Sequence, residues 1–185
     1  MPDETEIRAL VTRVVAGLVP DDTVELPPPV EGLPAIAIGA DHGGYPMKER
    51  LGFRLKESGY EVIDCGTDSG ESVHYPDFAH KVARKVVDGE ATYGIIIDGA
   101  GIGSAMVANK VPGIRAALCY DLSSARNSRE HNHANVLTLG AGLIGDGLAW
   151  QITQEWLATP WAPGRHAARV EKMTEYERRY VKEKT

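Results

Sequence analysis

Two different patterns of apolar and polar positions divide the chain. Near the start, Ile7, Leu10, Val11, Val14, Val15 and Leu18 fall at the spacing of one helical face, with Arg8, Thr12 and Arg13 on the other. Asp3, Glu4 and Glu6 precede the stripe, where acids suit the positive end of a helix dipole. Pro20 stops the pattern, and the proline-rich run DDTVELPPPVEGLP after it favours an extended, semi-rigid tether. A helix this short cannot bury an apolar stripe alone. It docks on its own domain, on another subunit or on a separate partner.

From Ala35 the pattern changes to short, dense apolar runs. AIAIGA (35–40), YEVID (60–64), GIII (94–97), IRAALC (114–119) and VLTL (136–139) read as buried strands. Between them, 46–58, 76–88, 104–110 and 122–130 carry helical spacing, and two more helices, 143–157 and 166–182, follow the last strand. Strands alternating with helices predict an α/β, three-layer αβα, Rossmann-like fold with a five-stranded parallel sheet. The chain therefore divides into an amphipathic helix with a proline-rich linker (1–34) and a single domain (35–185).

Composition narrows the function classes. A net charge of -6 over 185 residues gives no generic attraction to nucleic acid or acidic membranes. No apolar run reaches the ~18 residues of a membrane span, and the acidic start is unlike a secretory signal. Cys65 and Cys119 have no metal-ligand spacing, and the histidines form no HExxH pattern. A cytoplasmic protein with free thiols is the expectation.

Candidate chemistry gathers where each strand run ends, because ligands of parallel sheets bind at the carboxyl ends of the strands. Asp41 and His42 follow the first run, and Tyr75 closes the loop after the second. Asp98 ends the third, ahead of Gly99, Ala100, Gly101 and Gly103. A strand, a glycine turn and a helix start together present free N–H groups to an anion. An acid beside those donors either takes a proton while they hold the oxyanion, or caps the helix and closes a tight turn. Gly99 and Gly101 also begin a dinucleotide-binding fingerprint, but Ser104 stands where its third glycine belongs, and the motif lies in the third strand unit. His131 and Asn132 lie just before the last strand run, so His131 needs a neighbouring subunit or an unusual loop to join the others. Arg165 and Arg169, four apart, share a helix face and suit phosphate through bidentate guanidinium hydrogen bonds.

In order and spacing, Asp41-His42-Gly43-Gly44, Asn109 to Arg115, Ser128-Arg129-Glu130-His131-Asn132 with Asn135-Val136-Leu137, and Gly164-Arg165-His166 with Arg169-Val170 resemble the type B ribose-5-phosphate isomerases, a group that includes the galactose-6-phosphate isomerase subunits and allose-phosphate isomerases. The resemblance spans about residues 35 to 180. It implies aldose–ketose isomerisation of a pentose, tetrose or hexose phosphate through an enediolate, with no metal or other cofactor. It also implies a homodimer or dimer of dimers with sites between subunits. Asp41 and His42 then contact sugar and phosphate, Tyr75 and Asn132 contact substrate, and Gly99 to Gly103 hold the oxyanion. His131 helps to open the sugar ring, and Arg165 and Arg169 bind phosphate.

Where many members of that group have a catalytic cysteine this chain has Asp98, and where others have a glutamate it has Ser104. Asp98 is then the replacement base, or the chain is a sugar-phosphate-binding homologue without one. The stripe of residues 1–20 on its tether resembles the encapsulation peptides that carry enzymes into bacterial microcompartments by docking on shell proteins. The same stripe also suits any helix-binding groove.

Overall fold

The computed structural model describes residues 32–182. The N-terminal stripe and the tether through residue 31 lie outside these residues. The elements run β1 (Ile36–Ala40), α1 (Tyr45–Glu57), β2 (Val62–Asp64), α2 (Tyr75–Val87), β3 (Tyr93–Asp98), α3 (Ile102–Ala108), β4 (Ala116–Leu118), α4 (Leu122–Glu130), β5 (Val136–Gly140) and α5 (Asp146–Ala158). A 3-10 turn (Gly164–His166) then leads into α6 (Ala167–Lys182). The five strands form one sheet in the order β2-β1-β3-β5-β4, and every pairing is parallel.

Alternation along β3 shows why the sheet carries helices on both faces. Ile95 and Ile97 join a core layer with Met47, Leu51 and Leu55 of α1 and Ile152 and Trp156 of α5. Ile96 faces the opposite layer, with Ala79, Val82 and Ala83 of α2, Ala108 of α3 and Ile114. Burying an isoleucine of this kind contributes about 1.5–3 kcal/mol relative to leaving it exposed. Gly39 and Gly94 let α2 press onto the sheet, since a Cβ at either would come within 2.7 Å of Val82.

Strand β4 is an edge. The side chain of Asn109 donates to the carbonyl of Ala116 at 2.9 Å and accepts from its N–H at 2.8 Å, standing in for a neighbouring strand. This gives the motif from Asn109 to Arg115 a structural use.

Several element bounds differ from the spacing-based reading. The helix expected from 143 begins at Asp146, because Leu143 and Ile144 both donate to the carbonyl of Gly140 and make a turn first. The final helix likewise waits for the 3-10 turn at Gly164–His166. Strand β1 leads into α1 on one face and β3 leads into α3 on the other. The carboxyl ends of β1 and β3 are therefore the switch point of the sheet, where ligands of such sheets bind. Among the described residues, no helix is long and apolar enough to cross a membrane.

Candidate active site

The candidate site is built from adjacent loops. After β1, the Asp41 carboxylate accepts from the N–H of Gly44 at 2.9 Å and so shapes the entry to α1. A Cβ at Gly43 would sit 3.4 Å from Asp41 Oδ1 and 3.7 Å from the Gly99 nitrogen, so the β1 and β3 loops lie side by side. His42 is exposed, and its Nδ1 accepts from the N–H of Val73 at 3.3 Å. This bond fixes the tautomer and leaves the Nε2 proton facing outward. It also pins the loop that delivers Tyr75, the first residue of α2. The Tyr75 ring covers Gly103, where an added Cβ would lie 2.6 Å from the ring and 2.7 Å from the hydroxyl.

Asp98 ends β3 and is 5% exposed. Its Oδ1 accepts from the N–H groups of Ala100 (2.8 Å) and Gly101. Its Oδ2 accepts from the Ser104 N–H at 3.0 Å and the Ser104 hydroxyl at 2.5 Å. The carboxylate is thus turned into the glycine loop, and about four lone-pair sites, its usual capacity, are all in use. Three backbone donors that the sequence offers to an oxyanion are spent on Asp98 itself. The loop's own geometry needs glycine at position 101: φ is +77°, and a Cβ would come within 2.5 Å of Leu118 and 2.9 Å of Leu139.

His131, Asn132, Arg165 and Arg169 form a second group at the opposite end of the sheet. His131 caps the C-terminus of α4, before β5. Asn127 Nδ2 donates to His131 Nδ1 at 2.8 Å, which leaves the proton of a neutral ring on Nε2. The His131 ring stacks on His166 at 4.2 Å between centroids. Burial first, then the neighbouring His131, Arg165 and Arg169, push the His166 pKa down and favour its neutral form. Arg165 and Arg169 are exposed. Neither makes an ion pair among the described residues, since Glu171 pairs with Arg178 and Glu175 with Lys172. Arg165 lies in the 3-10 turn and not on the α-helical face that the four-residue spacing predicts it to share with Arg169, but both act on His166, and guanidiniums without carboxylates suit a phosphate group.

A strand of β5's length rises roughly 15 Å, so one chain holds the two groups well apart. The connection from α4 to β5, which carries His131 and Asn132, is braced by arginines: Arg115 Nε donates to the carbonyl of His133 at 2.8 Å, and Arg129 Nη1 to that of Ala134 at 2.5 Å. Arg129 is 4% exposed, and its guanidinium lies against both the Tyr93 and Trp156 rings, which also meet each other edge-on.

Sequence reasoning did not single out Tyr120, whose hydroxyl donates to the Ala100 carbonyl at 2.7 Å, or the His166 stack. Nothing in local spacing marks Tyr120, because its partner is twenty residues away on another strand loop. Ser104 is noticeable in the sequence only as a substituted position. Its bond to Asp98 comes from the turn of the loop.

A family model described as Ribose/Galactose Isomerase matches residues 36–173. A ribose-5-phosphate isomerase B of Escherichia coli (strain K12) is 45% identical over 144 residues, covering 78% of this chain and 97% of that protein. A D-erythrulose-4-phosphate isomerase of Pectobacterium atrosepticum is 43% identical over 144 residues, covering 77% of this chain and 95% of the relative. Among solved structures, ribose-5-phosphate isomerase B of Clostridium thermocellum superposes with a TM-score of 0.78 at 53% identity, covering 79% of this chain and 99% of that one.

Proposed function

The chain belongs to the ribose/galactose isomerase family and is a sugar-phosphate isomerase; from that premise we propose that Asp98 is the base of an aldose–ketose isomerisation. The observation that carries this reading is the place of Asp98, at the end of β3 beside the β1 loop and at the head of the glycine loop. The carboxylate takes the proton from the carbon next to the carbonyl. The C–H pair becomes the C=C bond of the enediolate, and the carbonyl π pair moves to oxygen. Asp98 then returns the proton to the neighbouring carbon while a hydroxyl proton passes between the two oxygens. Of its four hydrogen-bond donors, the Ser104 hydroxyl alone can leave by side-chain rotation, without moving the backbone. That rotation frees one lone pair for the carbon-bound proton.

The same four hydrogen bonds favour a second reading, in which Asp98 only braces the loop. Chemical rescue separates the two. Formate added to Asp98→Ala restores turnover in proportion to its concentration if Asp98 is the base, and does nothing if it is only a brace.

Asp41, His42 and Tyr75 are proposed to hold the sugar, with the unspent N–H groups of the glycine loop at its oxyanion. His131 assists ring opening with Asn132 beside it contacting substrate, and Arg165 and Arg169 hold the phosphate. Since the two groups lie at opposite ends of one sheet, the proposed assembly is a homodimer in which each site takes one group from each chain. Arg169→Ala is expected to raise KM for the sugar phosphate by ~10-fold or more with a smaller change in kcat, the loss of a charge-assisted clamp. Steady-state kinetics with phosphorylated and unphosphorylated sugar check this. Undiminished competition by inorganic phosphate in the Arg165→Ala/Arg169→Ala variant would place the clamp elsewhere.

The substrate class follows from a phosphate clamp at one end and proton transfer beside a carbonyl at the other. Relatives named for ribose 5-phosphate and for D-erythrulose 4-phosphate bracket the proposed range, pentose and tetrose phosphates. A panel of aldose and ketose phosphates with product analysis selects between them.

The N-terminal segment is proposed as a docking peptide for microcompartment shell proteins. Its apolar stripe and proline tether precede the part of the chain that matches the relatives, who are themselves covered almost end to end. Deleting residues 1–30 is expected to leave turnover and melting temperature nearly unchanged and to abolish co-purification with shell proteins. A large drop in melting temperature would instead mean that the stripe packs on its own protein.

A further inference from the structure

The peptide joining Ala100 to Gly101 is held at both ends. Its N–H donates to Asp98 Oδ1, and its carbonyl accepts from the Tyr120 hydroxyl at 2.7 Å. Tyr120 follows the end of β4, at the edge of the sheet, so its side chain reaches across β5 to the glycine loop on β3. Beneath the peptide the fit is close. A Cβ at Gly140, the last residue of β5, would lie 2.6 Å from the Ala100 oxygen. Tyr120 is the one hydrogen-bond partner recorded for that oxygen among the described residues.

On one side this peptide is followed by Gly101, which without a Cβ opposes a turn less than any other residue would, so the Tyr120 hydrogen bond adds to the restraint from the packing beneath. Turning it would withdraw the Gly101 N–H from Asp98 Oδ1, leave that oxygen the Ala100 N–H alone and shift the aim of the carboxylate. The run from the Tyr120 hydroxyl through the peptide to Asp98 is a chain of hydrogen bonds in which each polarises the next. Its far end is the group proposed to meet the carbon-bound proton.

We propose that Tyr120 is a positioning residue for the isomerisation: by holding the Ala100 carbonyl it fixes the Ala100–Gly101 peptide and, through it, the aim of the Asp98 carboxylate. The inference rests on the reading of Asp98 as the base. Tyr120 touches neither substrate nor the transferred proton.

The test is Tyr120→Phe, which removes one oxygen and keeps the ring. Misaiming a base by a fraction of an ångström to an ångström costs roughly 10- to 100-fold in rate. The expected result is a kcat lower by ~10-fold with KM for the sugar phosphate within about twofold. Faster amide hydrogen exchange at Gly101 should accompany it. A purely structural role would lower the melting temperature and leave kcat and the Gly101 exchange rate unchanged, which would overturn the proposal.

Coupling to Asp98 is read in the Asp98→Ala enzyme with added formate, where the aim of a carboxylate side chain no longer matters. Tyr120→Phe should then cost no further turnover. An equal loss in that background would show that Tyr120 acts independently of Asp98 and would sink the inference. Full turnover in Asp98→Ala without formate would instead sink the reading of Asp98 as base, a failure separable from that of Tyr120.

Discussion

Asp98→Asn lowers turnover by ~10²-fold or more and leaves phosphate binding nearly intact. The amide cannot accept a proton from carbon, and it offers one acceptor oxygen where the carboxylate offers two. Its NH2 group must face either the Ala100 and Gly101 N–H groups or the Ser104 N–H, setting donor against donor. Phosphate binding is expected to persist because the proposed clamp, Arg165 and Arg169, is built from the 3-10 turn and α6, not from the glycine loop that Asp98 holds. The measurement is kcat and KM with a working sugar phosphate, together with the inhibition constant for inorganic phosphate. Unchanged turnover removes Asp98 from the mechanism.

Much of this architecture is legible before any coordinates. The dense apolar runs at Ile36, Ile95–Ile97 and Val136–Leu139 are buried on both faces, which is why they read as continuous rather than alternating. Their parallel order follows from the helices between them. The amphipathic face of α1, with Met47, Leu51 and Leu55, is likewise plain from its spacing. Boundaries shift where local turns intervene. Leu143 has the apolar character of a helix position but is exposed, because the chain first turns back on Gly140.

The places of the candidate residues in the fold were legible, and their bonding much less so. Asp98 lies at a strand end and His131 lies before the last strand, as the order of residues requires. That Asp98 turns inward and consumes the loop's N–H groups depends on the path from Gly99 to Ser104, a matter of backbone angles at glycines that spacing cannot express. The stack of His131 on His166 joins residues thirty-five apart. Tyr120 meets Ala100 only because β4 folds back to the sheet edge beyond β5. Arg165 and Arg169 stand out in the sequence by their spacing, whereas their lack of a carboxylate partner among the described residues emerges only when Glu171 and Glu175 are seen to pair with Arg178 and Lys172.

The largest gain of activity should come from mixing two inactive proteins. If each site takes Asp98 from one chain and His131 from the other, a mixed dimer of Asp98→Asn and His131→Ala chains contains one site with both changes and one with neither. Random exchange at equal concentrations makes half the dimers mixed, so activity should recover to about a quarter of the unmutated enzyme's, given two equivalent sites per dimer. Subunit exchange is followed by native mass spectrometry and turnover by product analysis. Recovery toward a quarter is the result this account predicts. Full exchange with no recovery would mean that Asp98 and His131 serve within one chain, which would contradict it.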